Sequence, residues 1–107
     1  MRMYLFPMSA RAYPEELAAS IGTFSVSLVG EKNLRGLQVF VDSAVRLASV
    51  SVALVNNSDR CQKRALAELA DVERAFFDDA VFSFSFVRDI DHGVVNLAPS
   101  VSHYSYA

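Results

Sequence analysis

"EKNLRGLQVFVDSAVRLAS", residues 31–49, is the stretch on which the fold turns. Read as a helix, it sets Leu34, Leu37, Val41, Ala44, Val45 and Ala48 on one face. Read as extended chain, "LQVFVD" (37–42) is rich in β-branched residues, and "GEKN" (30–33) supplies a hairpin turn. Helical spacing accommodates more of these residues, although Gly36 and three valines weaken it. A helix over 33–48 is therefore the expectation, and a hairpin the alternative.

The flanking segments speak for a sheet. "TFSVSLV" (23–29) alternates strictly, with Phe24, Val26 and Leu28 on one side and Ser25 and Ser27 on the other. "SVSVALV" (49–55) sets Val50, Val52 and Leu54 opposite Ser49, Ser51 and Ala53. "VFSFSFV" (81–87) sets Phe82, Phe84 and Phe86 opposite Ser83 and Ser85. A parallel sheet covered on both faces would show continuous apolar runs instead. The serines predict two layers, with one sheet face under helices and the other open or paired with a partner.

Met1 to Phe6 reads as a further short strand, stopped by Pro7. Pro14 suits the first turn of a helix through "EELAASIG" (15–22), which Gly22 ends. The clearest helix runs from Asp59 to Asp78. Cys61, Ala65, Leu69, Val72 and Phe76 form its stripe, and Ser58 or Asp59 caps it. After "RDIDHG" (88–93) comes "VVNLAPSVSHYSYA", an edge strand or extended tail because Pro99 interrupts it. The fold class expected is α+β: one domain over 1–107, two layers, and a mixed four- to five-stranded sheet with two or three helices on one face. The order drawn is β-α-β-α-β-α-β-β.

Composition narrows the function classes. The 107 residues are 52% hydrophobic and 21% charged, a rich apolar fraction for a chain with so much surface per volume. Some of that apolar surface is expected against another chain, as a homo-oligomer, dimer or larger. A net charge of −2 with no basic stripe argues against nucleic acid. No apolar run is long enough to span a bilayer, and "MRMYLFPM" is too short and Pro-broken for a secretory signal. A single Cys permits no intrachain disulfide, which fits a cytoplasmic location. No motif calls for a cofactor.

Four groups of residues invite a chemical reading. Asn56, Asn57, Ser58, Arg60, Lys63 and Arg64 form a strand-to-helix corner, where free N–H groups and positive charge attract small anions. The basic residues sit at the helix start and Asp71, Glu73, Asp78 and Asp79 at its end, against the helix dipole. Pairing of Arg64 with Glu68, and of Arg74 with Asp71 or Asp78, offsets that pattern. The corner holds no glycine, unlike phosphate loops, so an ordinary capped turn is the plainer reading. Cys61 lies beside cations but also on the apolar stripe, which favours a core role.

Asp89, Asp91 and His92, with His103 beyond, are the residue types of a metal site, although Asp, His and Gly also make hairpin turns. No nucleophile-elbow motif accompanies the many serines. Ser25, Ser27, Ser83 and Ser85 would form a flat surface for a second sheet, and Tyr104 and Tyr106 an aromatic tail suited to an interface. Two functions follow: a non-catalytic interaction or regulatory domain acting as a homo-oligomer, or a small enzyme or anion or small-molecule binder using corner 56–64.

Overall fold

The computed structural model describes residues 12–91 and 97–107. Helix α1 (Ala12–Val29) leads through a single 3-10 turn (Glu31–Asn33) into strand β1 (Leu34–Asp42). Strand β2 (Leu47–Leu54), helix α2 (Asp59–Phe76), strand β3 (Val81–Val87) and strand β4 (Val101–Tyr106) follow. The four strands form one mixed sheet in the order β3-β2-β1-β4. β1 is antiparallel to both β2 and β4, and β2 is parallel to β3 through the α2 crossover. The α+β architecture, with a four-stranded sheet and two helices, agrees with the sequence reading. The strand expected over Met1–Phe6 lies outside the described residues.

Residues 33–48 do not form a helix; the hairpin alternative holds. Leu37, Val39 and Val41 of β1 pair with Val52, Val50 and Ala48 of β2, and all six are buried under the helices. A strand that buries alternate β-branched residues on a helix layer outweighs the helical spacing of the same sequence. The turn lies at residues 43–46, not at 30–33. There Asp42 Oδ1 accepts the Ala44 N–H at 3.0 Å, and Arg46 takes the left-handed conformation at φ 55°.

The strand expected over 23–29 is instead the second half of α1. Leu17, Ala18, Ile21, Ser25, Val26 and Val29 are buried at helical spacing, and this stripe spans the whole segment. Ser25 satisfies its hydroxyl by donating to the Ile21 carbonyl at 2.7 Å. Gly22 is interior to the helix rather than its end. A Cβ there would stand 2.0 Å from Cδ2 of Tyr104, so the missing side chain lets α1 settle onto β4.

α2 behaves as its pattern predicts. The Ser58 hydroxyl accepts the Cys61 N–H at 3.3 Å, and Ala65, Leu69 and Val72 are buried. Phe82, Phe84 and Phe86 of β3 share the helix-covered face with Val50 and Val52. Ser49, Ser51, Ser83 and Ser85 point to the other face.

That second face is not bare. The connection leaving β3 places Ile90 against Gly36 and the Asp91 carbonyl 3.3 Å from Gln38 Nε2. It returns to the sheet at Ser100, whose hydroxyl donates to Asp42 Oδ1 at 3.1 Å. Gln38 is buried beneath it, 3.1 Å from His103 Nε2. No described helix is long and apolar enough to cross a membrane.

Candidate functional site

The corner after β2 is built from local hydrogen bonds. Asn56 Oδ1 accepts the Ser58 N–H at 3.1 Å, closing a turn that aims the chain into α2. Gln62 Nε2 reaches back to Asn57, 3.0 Å from its side-chain oxygen and 3.2 Å from its carbonyl. Ser58 is the N-cap. Asn57 and Ser58 are thus engaged in forming the turn.

Beside the corner opens a cleft of about 270 Å³. Leu28 and Val29 of α1, Leu54 of β2, and Cys61 and Ala65 of α2 supply its apolar wall. Asn33, Asn56, Arg64 and Glu68 supply its polar part. Three corner residues discussed above therefore meet there: Asn56, Cys61 and Arg64. Arg60 is exposed outside it, and Lys63 lines a separate depression on the far side of α2. No ion pair joins Arg64 to Glu68, whereas Arg74 does pair with Asp71. Leu28, Val29 and Asn33 escape a sequence reading that makes 23–29 a strand. The signal for them was the i, i+4 recurrence from Leu17 through Ile21 to Ser25 and Val29.

Asp89 forms an exposed ion pair with Arg35 at 3.4 Å, and Asp91 contributes its carbonyl to Gln38. His92 lies outside the described residues. Among the described residues, no three His, Cys, Asp or Glu side chains gather as they would around a metal ion. Asp89, paired with Arg35 near the start of β1, stands at the same sheet end as the corner, whereas Asp91 lies against Gln38 on the second face, and neither lines the cleft.

The interface residues divide. Ser25 is buried inside α1 and Ser27 is exposed on it, so neither belongs to a sheet surface. Tyr104 and Tyr106 pair with Val39 and Leu37 and pack into their own core from the helix side. Partial burial and the neighbouring Glu31 carboxylate, which accepts a hydrogen bond from it, hold the Tyr106 phenol above its ordinary pKa.

Ser83 and Ser85 are exposed on β3, at the margin of the sheet. Among the described residues nothing pairs with the outer side of this strand. Its seven residues are Val, Phe and Ser, without charge, proline or bulge. Natural edges usually carry one of those devices because free backbone groups recruit other strands. On the helix side a depression of about 340 Å³ lies between Leu66 of α2 and Phe84 and Phe86 of β3. No family model, curated protein or solved structure matches this chain.

Proposed function

We propose that this chain is a non-catalytic interaction domain that works as a homo-oligomer, with the outer edge of β3 as its working surface. One observation carries the reading: an uncharged seven-residue edge strand with no bulge and no proline. Among the described residues nothing bonds its outward N–H and C=O groups, which gain partners from water or another strand. Exposed Val81 and Leu66 add apolar surface at the same margin. The lone free Cys61 suits a reducing compartment, and a cytoplasmic location goes with this reading.

The test is mass by light scattering on wild type and on Ser83→Lys/Ser85→Lys. Both serines are exposed, so lysine there charges the edge while leaving the fold intact. The wild type should be an oligomer and the variant a monomer with an unchanged circular dichroism spectrum. A monomeric wild type overturns the proposal.

The cleft favours a second reading, a binder of a small molecule with an apolar body and an acidic head. Arg64 and Asn56 would meet the head and Leu28 and Leu54 the body. A thermal-shift screen of short-chain and aryl carboxylates tests it. Stabilisation lost in Arg64→Ala supports this reading, and no stabilisation by any of them removes it.

A further inference from the structure

We infer that two copies of this chain join by antiparallel β3–β3 pairing about a two-fold axis through Phe84, making one continuous sheet of the eight described strands. The inference rests on the edge reading above and names the partner: a second copy, in one register. Residues 81–87 read Val-Phe-Ser-Phe-Ser-Phe-Val, the same in both directions. A two-fold axis at Phe84 sets Val81 opposite the partner's Val87, Phe82 opposite the partner's Phe86, and Ser83 opposite the partner's Ser85. Phe84 faces its own copy. An isologous contact requires such self-complementarity.

The faces agree as well. Residues directly opposite in an antiparallel pair lie on one side of the sheet. Phe82, Phe84 and Phe86 all lie on the helix side, so like-with-like pairing keeps both helix layers on the same side. Moving the axis to Ser83 or Ser85 shortens the ladder within the strand and sets Val against Ser. An axis between residues sets Ser against Phe and throws the two helix layers to opposite faces. Only the axis at Phe84 uses the full strand.

The helix side also has room for the contact. The depression that Leu66, Phe84 and Phe86 line together with Asp59, Gln62 and Lys63 of α2 lies beside Phe86, where the partner's Phe82 arrives. Aromatic cross-strand pairs of this kind are a favoured unit of sheet pairing.

Cross-linking in a Cys61→Ala background reads the register. Ser83→Cys and Ser85→Cys are made separately, distinguished by a size tag, then oxidised alone and after co-expression. Opposite residues stand about 4.5–5.5 Å apart between Cα atoms, within disulfide reach. A cysteine at 83 and its own copy stand on a diagonal of about 7–8 Å, at or beyond that reach. The expected result is a disulfide in the co-expressed pair and none, or a trace, in either variant alone. Light scattering on the reduced samples separates the two claims. A two-chain mass with self-linking of a single variant, or with no link in the pair, overturns the register but leaves the edge reading. A one-chain mass overturns both. A mass that grows without limit with concentration overturns the closed two-fold pair.

Discussion

The ring of Tyr104 occupies the space that a side chain on Gly22 would need, with Cδ2 2.0 Å from the position of a Cβ. This contact ties the C-terminal edge strand to the middle of α1. It accounts for a glycine at a position where helix propensity would prefer alanine by about 1 kcal/mol.

Gly22→Ala should therefore destabilise, by about 1–3 kcal/mol, despite the better helix former, because the ring must leave its seat. Combining it with Tyr104→Ala should cost less than the sum of the two single changes. Urea unfolding of the four proteins checks both statements. A stabilised Gly22→Ala would contradict the packing described here.

Arg46 is the left-handed residue of the β1–β2 turn and also closes the far end of α2. Its guanidinium donates to the Asp78 carbonyl and, at 3.5 Å, to that of Asp79. Its own carbonyl accepts the Val81 N–H at 2.8 Å. Arg46→Ala loses the side-chain hydrogen bonds and keeps the backbone strain. Arg46→Gly loses the same bonds but relieves strain worth about 1 kcal/mol. The glycine variant should be the more stable of the two by about that amount, read from denaturation midpoints.

How much was legible in the sequence follows from where the determining forces act. α2 carries its own evidence in the Ser58 cap and the Cys61-to-Val72 stripe, and the expectation for it held. β3 did too, through strict alternation. The stretch 23–29 misled because alternation and helical spacing coexist in it. The choice was made by Ile21, Ser25 and Val29 burying together against the sheet. The turn at 43–46 was hidden for a related reason. It contains no glycine, and its left-handed residue is held by carbonyls more than thirty positions away. The inward direction of Tyr104 depends on Gly22, a contact between distant segments. Of the candidate residues, Asn56, Cys61 and Arg64 meet in one cleft because the strand-to-helix corner is a local structure.

The Tyr106 phenol should titrate above 10.0, because partial burial and then Glu31 both favour its neutral form. A folded value above the unfolded one means the stabilisation is complete below pH 10 and is lost as pH rises through the folded value. Phenolate absorbance should show a late-titrating component that Tyr106→Phe removes. Glu31→Gln should lower that component without abolishing the shift. A titration identical in Tyr106→Phe and wild type would refute the assignment.

Leu69 is fully buried on the inner face of α2, whereas Cys61 lies half-buried at the cleft. Leu69→Ala should cost about 2–5 kcal/mol, the usual range for a cavity in a packed core. Cys61→Ala should cost less than about 1.5 kcal/mol, since it removes one sulfur at a partly open site. The comparison needs only chemical denaturation of the two variants.

The central claim is that the outer edge of β3 is covered by a second copy of the chain. The most direct measurement is light scattering on wild type and Ser83→Lys/Ser85→Lys side by side. The account predicts about twice the chain mass of 11.8 kDa for wild type and a single chain for the variant. A wild type of 11.8 kDa, or a variant that keeps the doubled mass, would contradict it.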